Sequence, residues 1–135
     1  MNVFFYGLFM DEGLLAAKGI RPSGVTPGFA AGYELRIGAR ATLVRRPDAL
    51  AWGMVMDITQ DEADALYADE SVADYVPEPV MIELADGGRV ESSCYILPED
   101  KVAGTNSSYA EALLEVSAKL DFPESYLDQI RKAGK

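Results

Sequence analysis

Apolar and polar positions along the chain predict six strands and four helices. Short apolar or alternating runs indicate strands at 2–6, 29–37, 41–46, 50–58, 78–84 and 89–97. The prolines and glycines of 21–28 predict a loop. Pro47-Asp48 predicts a turn between the third and fourth strands, and Asp86-Gly87-Gly88 predicts a hairpin turn between the last two.

Helices are expected where capping signals precede apolar stripes. The first, a short one, is expected within 10–18. Thr59 with Glu62 forms a capping box, and that helix is expected to run to about residue 70. Ser108 with Glu111 predicts a second box. Pro123 begins the last helix, and the apolar side chains of the last two helices are Tyr109, Ala112, Leu113, Val116, Leu120, Tyr126, Leu127 and Ile130.

The resulting order is β-α-β-β-β-α-β-β-α-α. Strands follow one another with short connections and few intervening helices, which disfavours a doubly wound parallel sheet. We therefore predict an α+β fold, a small mixed, mostly antiparallel, curled β-barrel with flanking helices. Its 135 residues fit a single domain, residues 1–135.

Composition excludes several classes of partner. The formal net charge of −10 disfavours nucleic acid and anionic membrane surfaces. No apolar run approaches the roughly 18 residues that span a bilayer. The N-terminus lacks a basic segment, so no signal peptide is expected and we predict a cytoplasmic protein.

The absence of histidine narrows the possible chemistry further. Ser-His-Asp and Cys-His machinery cannot be built, and histidine-containing zinc sites are excluded. The single cysteine, Cys94, is expected to be an inert core thiol. Any general acid or base is therefore Asp, Glu, Lys, Tyr or a chain terminus.

Glu70 is the first candidate for such a group. In a helix reaching residue 70, Ala63, Leu66, Tyr67 and Glu70 share one face, which is apolar apart from the glutamate. A carboxylate kept out of water can act as a base near neutral pH. Two interpretations stay open: a functional group facing the core, or a solvent-exposed residue at a helix end, which is the commoner case.

The turn after the first strand is the second candidate. Tyr6-Gly7-Leu8-Phe9 leaves a buried strand through glycine, and successive amides there can form an anion-binding nest. An ordinary turn is the alternative. Three further tyrosines are expected chiefly as packing residues: Tyr75, Tyr109 and Tyr126. Four arginines are expected chiefly as solvated strand residues, although one of them is able to help hold an anion: Arg36, Arg40, Arg45 and Arg46.

Taken in order, these segments resemble the gamma-glutamylcyclotransferase-like family, in particular its plant avirulence-induced-gene-like branch. The matching segments cover nearly the whole chain: Tyr6-Gly7-Leu8-Phe9, Ala41-Thr42-Leu43, Trp52-Gly53-Met54-Val55, Glu70-Ser71-Val72 with Tyr75, Ser107 to Tyr109, and Pro123 to Tyr126. The chain departs from the family pattern at Leu8, Phe9 and Ser71, where the family has serine, a polar residue or leucine, and glycine.

The resemblance implies a barrel with one pocket at the Tyr-Gly turn and an enzyme for a small gamma-glutamyl substrate. The substrate's α-amine would attack its own side-chain amide, giving 5-oxoproline and a released amine or amino acid. Ring closure needs neither a metal nor a cofactor. Glu70 takes the position of the family's acid/base, and the implied substrate-binding residues are Tyr6, Gly7, Leu8, Phe9, Tyr75 and Tyr109.

Two other functions remain open at this point. Leu8 and Phe9 also suit a non-catalytic binder of a small acidic metabolite on the same fold. A purely structural interaction domain is the third possibility, favoured by a solvated Glu70 together with no cleft near Gly7. We expect a monomer or a homodimer.

Overall fold

The computed structural model describes residues 1–134, which form five strands and four α-helices. Single 3₁₀ turns occur at Leu8–Met10 and Glu99–Lys101. The elements in chain order are β1 (Asn2–Phe5), α1 (Glu12–Ala17), β2 (Ser23–Ile37), β3 (Ala41–Asp57), α2 (Gln60–Leu66), β4 (Val76–Leu84), β5 (Arg89–Ile96), α3 (Ser107–Lys119) and α4 (Glu124–Ala133).

The five strands close into a barrel in the order β1-β3-β2-β4-β5. Every neighbouring pair is antiparallel except β1 and β5, which are parallel at Val3 and Ser93. The fold is thus the predicted small, mixed, mostly antiparallel barrel with flanking helices. Its core is formed by apolar side chains of the strands and the helices packed on them, including Phe4, Leu15, Met56, Ile82, Leu113 and Ile130.

Two predictions about the long strands were wrong. Pro47-Asp48 does not separate two strands, because β3 runs unbroken from Ala41 to Asp57. Pairing with β2 jumps there from Arg45 opposite Tyr33 to Leu50 opposite Ala31. A bulge of this kind accommodates proline, which cannot donate a hydrogen bond to the ladder.

The predicted loop at 21–28 is also mostly strand, since β2 begins at Ser23. At Pro27 this strand pairs with β3 alone, because its pairing with β4 is confined to Gly28 and Phe29. On the side of β4 the Pro27 carbonyl accepts from the Ala85 amide at 3.0 Å, so the N–H that proline lacks removes no bond of the ladder with β3. The predicted turn at Asp86–Gly88 does join β4 to β5, and Gly87 there has a φ of 96°.

Two helix boundaries also differ from prediction. The Thr59–Glu62 capping box is present, but α2 ends at Leu66 instead of about residue 70. Helix α3 begins one residue before Ser108, and its N-cap is Asn106, whose side chain accepts from the Tyr109 amide at 2.9 Å. Asparagine is among the best N-cap residues, so it displaces the predicted Ser108 box.

Candidate functional site

A cavity of about 220 Å³ lies where β1 ends. Strand β1 stops at Phe5, whereas β3 pairs with it only over Met54–Asp57 and continues back to Ala41. Beyond Phe5, no strand therefore lies between β3 and β5, and this opening is called the gap. The chain continues from β1 into the turn at Gly7. Strand ends of this kind are common positions for binding residues on a rigid scaffold.

Thr42 joins the two sides of the gap. Its hydroxyl donates to the Leu97 carbonyl at 3.0 Å and accepts from the Leu97 amide at 2.9 Å, and the side chain is completely buried. A buried backbone donor and acceptor are thus both satisfied by one hydroxyl group. The neighbouring residue, Ala41, lines the cavity.

Gly7 allows Tyr109 of α3 to close against the turn. The Leu8 amide donates to the Tyr109 hydroxyl at 3.2 Å. A Cβ atom at position 7 would collide with that hydroxyl, while the ring carbon that bears it would lie at an ordinary contact distance of 3.8 Å. Glycine is therefore required at position 7 by the close approach of a side chain and not by its own φ of −112°.

The tyrosines of the cavity are neutral and present mainly their rings. Tyr6 donates its hydroxyl to the Tyr95 carbonyl at 2.6 Å, and Tyr75 donates to the Ala41 carbonyl. Burial raises the pKa values of the Tyr6, Tyr75 and Tyr109 hydroxyls above the usual value near 10. All three are protonated at neutral pH.

The structure brings together six of the seven predicted site residues, since Tyr6, Gly7, Leu8, Phe9, Tyr75 and Tyr109 all line the cavity. Glu70 is the seventh, and it is exposed and outside the lining. It lies in the segment that follows α2, here called the rim segment (67–75), whose two ends, Tyr67 and Tyr75, do line the cavity. Of the two interpretations of Glu70, the structure thus has the solvent-exposed one, and the prediction that α2 runs to about residue 70 was wrong, because α2 ends four residues earlier.

The early helix end has a local cause at Asp69. Its carboxylate accepts from both the amide and the hydroxyl of Ser71, at 2.9 and 2.8 Å. This side-chain turn competes with further helical hydrogen bonding, and acidic residues are unfavourable at a helix C-terminus. The same two bonds, the amide first, lower the pKa of Asp69. The Asp69 carboxylate therefore stabilises the turn. Within residues 1–134, the Glu70 side chain makes no hydrogen bond or ion pair.

Two residues of the site were not predicted from the sequence. Tyr67 lines the cavity and stacks on Tyr95 with ring centroids 3.8 Å apart. Arg40 was expected to be a solvated strand residue, but its guanidinium lies 6.0 Å from the Tyr75 ring centre and bonds Asp74 and the Ser71 carbonyl at 3.4 Å. The sequence signal for Tyr67 was its place on the same predicted helix face as Glu70; Arg40 gave no comparable signal.

Cys94 is fully buried, as predicted, and burial raises the pKa of its thiol. No cluster of three or more His, Cys, Asp or Glu side chains suited to a metal ion occurs within residues 1–134. In the same part of the chain, no helix combines the length and apolar character needed to cross a bilayer.

Several solved structures share this architecture. A protein described as a gamma-glutamyl cyclotransferase superposes with a TM-score of 0.79 at 16% identity, covering 100% of this chain and 88% of its own. YkqA of Bacillus subtilis gives 0.78 at 18% identity, with 98% and 53% coverage, so this chain spans about half of it. The Arabidopsis thaliana protein At5g39720.1 gives 0.63 at 21% identity, with 90% and 93% coverage. At these identities the likeness shows the fold.

The family is shown by the sequence itself. No curated protein matches the chain. The family model described as "Gamma-glutamyl cyclotransferase, AIG2-like" matches residues 3–113, which include all of β1 but its first residue, the turn at Gly7, the rim segment and the start of α3. The chain therefore belongs to the AIG2-like gamma-glutamyl cyclotransferase family.

Proposed function

We propose that this protein cyclises a gamma-glutamyl compound to 5-oxoproline and releases the attached amine or amino acid. The observation that carries the proposal is the cavity at the end of β1, which unites the Tyr6–Phe9 turn with Tyr75 and Tyr109 in a member of this family. The cavity is bounded by a rigid barrel on one side and a hydrogen-bonded rim on the other.

The reaction needs geometry more than it needs reactive groups. The substrate's α-amine nitrogen attacks its own side-chain amide carbon, forming one C–N bond while the original amide C–N bond breaks. One proton leaves the attacking nitrogen and one reaches the departing nitrogen. A pocket that folds the glutamyl chain so that amine meets carbonyl supplies the proximity, and a single acid/base is able to carry the proton between the two nitrogens.

We assign that acid/base role to Glu70. Two adjacent carboxylates lie in the rim segment. That of Asp69 accepts two hydrogen bonds from Ser71, whereas that of Glu70 accepts none within residues 1–134. Hydrogen bonds hold the rim segment in place. Tyr75 donates to the Ala41 carbonyl, and Arg40 donates to the Ser71 carbonyl and to Asp74. Glu70 thus lies, exposed, in a segment whose two ends, Tyr67 and Tyr75, line the cavity, and the proposal requires a bound substrate to reach it there.

The glutamyl α-carboxylate is assigned to the backbone at Gly7–Phe9. The first amides of a 3₁₀ turn have no partner inside the turn. One of them, that of Leu8, bonds the Tyr109 hydroxyl at 3.2 Å, and the hydroxyl's own proton remains available for an anion. The backbone supplies these donors even though Leu8 lacks the hydroxyl that serine would add.

A non-catalytic binder is the second candidate. The observation that favours it is that none of the described residues lining the cavity carries a carboxylate, and Glu70 is exposed. Under this hypothesis, the protein binds gamma-glutamyl compounds in the same cavity without turning them over.

The test is 5-oxoproline release from a panel of gamma-glutamyl amino acids, gamma-glutamyl amines and glutathione. Glu70→Gln is the diagnostic variant, and Asp69→Asn is its matched control because it removes the adjacent charge while keeping an acceptor for Ser71. We expect Glu70→Gln to lower kcat by about 10²-fold or more and Asp69→Asn to change it little. Binding of the panel without turnover by the wild type would establish the second candidate instead.

A further inference from the structure

Aromatic rings in mutual contact form much of the cavity wall, and one of them, Phe9, belongs to the turn itself. Phe9 meets Phe5 and Tyr67 edge-to-face, with ring centroids 6.1 and 6.0 Å apart, and Tyr67 stacks flat on Tyr95 at 3.8 Å. Each ring is held by its neighbours, so the wall is stiff as well as apolar.

Hydroxyl groups do little to make this wall polar. Those of Tyr6 and Tyr75 are turned away onto the carbonyls of Tyr95 and Ala41. That of Tyr109 accepts from the Leu8 amide at the turn, where the proposed function assigns its own proton to the glutamyl carboxylate. No described residue lining the cavity carries a formal charge, in a chain whose net charge is −10.

One side of the cavity mouth is apolar too. Leu14 of α1 lines it and is 40% exposed. The described chain has three other large apolar side chains of comparable exposure, and none of them lines this cavity: Met1, Val76 and Met81. An exposed leucine at a pocket entrance gains burial when an apolar group covers it.

We propose that the part of the substrate released by this enzyme is uncharged and apolar, with aromatic groups preferred. This inference rests on the proposed function for the reaction itself. The charged groups of the glutamyl part are assigned to the Gly7 turn and the rim segment. A second charge on the departing amine would lose its hydration against the ring wall and Leu14 without finding a partner there.

Four gamma-glutamyl amides matched in reaction but not in charge test this inference: those of phenethylamine, n-butylamine, 1,4-diaminobutane and 4-aminobutyrate. We expect kcat/KM for the phenethyl and butyl amides to exceed that for the two charged amides by about tenfold or more. Equal or better turnover of a charged amide would overturn the inference while leaving the cyclotransferase reaction intact.

Leu14→Lys tests the cavity mouth directly. The added cation is expected to attract the carboxylate of the 4-aminobutyrate amide. We therefore expect the ratio of kcat/KM for the butyl amide to kcat/KM for the 4-aminobutyrate amide to fall by about fivefold. Met81→Lys is the matched control, since Met81 is 52% exposed on β4 and lies outside the cavity. An unchanged ratio in Leu14→Lys, or an equal change in Met81→Lys, would overturn the assignment of the mouth.

The two proposals fail in different ways. If no amide is turned over, the cyclotransferase proposal fails, and calorimetric binding of the same four compounds decides the inference about ligand class. Tighter binding of the phenethyl and butyl amides would support an apolar site. Tighter binding of either charged amide would contradict it.

Discussion

At the scale of single residues, the contact between Gly7 and Tyr109 is the most specific feature of the site. Gly7→Ala places a methyl group against the Tyr109 hydroxyl, so we expect it to lower the free energy of unfolding by about 1–3 kcal/mol and to weaken substrate binding. Tyr109→Phe removes only the bond to Leu8 and is expected to lower it by about 1 kcal/mol. Urea denaturation measures both changes.

The double variant supplies the control. The ring carbon that bears the hydroxyl lies 3.8 Å from the added methyl position, so removing the oxygen relieves the collision. Gly7→Ala with Tyr109→Phe is therefore expected to be more stable than the sum of the single changes implies, by about 1 kcal/mol or more. Strictly additive effects would show that the collision is relieved in some other way.

Thr42 carries a separate prediction at this scale. Thr42→Val keeps the shape but leaves both the amide and the carbonyl of Leu97 buried and unpaired, which is expected to lower the free energy of unfolding by about 2–4 kcal/mol. Thr42→Ser keeps the hydroxyl and is expected to lower it by about 1 kcal/mol. If chemical denaturation found the two substitutions equivalent, the bridge across the gap would not be important for stability.

The sequence predicted part of the candidate site well. The Tyr6–Phe9 turn was recognisable because it follows a clear buried strand, whereas Tyr75 and Tyr109 were expected as packing residues and entered the predicted site through the family resemblance. Arg40 was not recognised as a site residue because its partners, Ser71 and Asp74, lie 31 and 34 residues further along the chain. Thr42 was not recognised because its role depends on where β3 passes the end of β1. That juxtaposition is set by the barrel's closure and leaves no mark in local spacing.

At the scale of secondary-structure elements, the end of α2 decides where Glu70 lies. Helical periodicity places residue 70 on the same face as Ala63, Leu66 and Tyr67, yet the Asp69–Ser71 turn stops the helix at Leu66. Similarly, Pro47 predicted a turn where β3 forms a bulge. Periodicity identifies neither Asp69 as the residue that ends the helix nor Pro47 as part of a bulge, because it does not describe the competing hydrogen bonds that decide both cases.

The start of α2 provides a prediction about the element. Thr59 accepts from the Glu62 amide at 3.0 Å, and Glu62 accepts from the Thr59 amide at 2.9 Å. Thr59→Ala is expected to lower the free energy of unfolding by about 1 kcal/mol, whereas Thr59→Ser keeps the cap and is expected to change it by only a few tenths. Thermal unfolding of the two variants compares them, and equal losses would contradict a capping role.

At the scale of the whole molecule, buried tyrosines predict how stability depends on pH. Burial raises the pKa values of Tyr6, Tyr67, Tyr75, Tyr109 and Tyr126 above the unfolded value of 10.0. Above about pH 10, the unfolded chain therefore binds fewer protons than the folded one. Each of these tyrosines therefore contributes stability that is fully present below about pH 10 and is lost as the pH rises toward its folded pKa, so the free energy of unfolding is expected to fall with rising pH above 10.

An alkaline titration followed at two wavelengths checks this. Tyrosinate absorbance near 295 nm is expected to appear largely together with the loss of the folded near-ultraviolet circular dichroism signal. Ionisation of these five tyrosines near pH 10 in a protein that keeps its folded signal would contradict the burial of the cavity wall and core.

The central claim is that the cavity at the end of β1 is a catalytic site served by Glu70. The most direct measurement is 5-oxoproline release by the wild type, Glu70→Gln and Asp69→Asn on the same gamma-glutamyl panel. The account predicts turnover by the wild type and by Asp69→Asn, and a loss of about 10²-fold or more in Glu70→Gln. Undiminished turnover in Glu70→Gln, or no turnover by a folded wild-type protein, would contradict it.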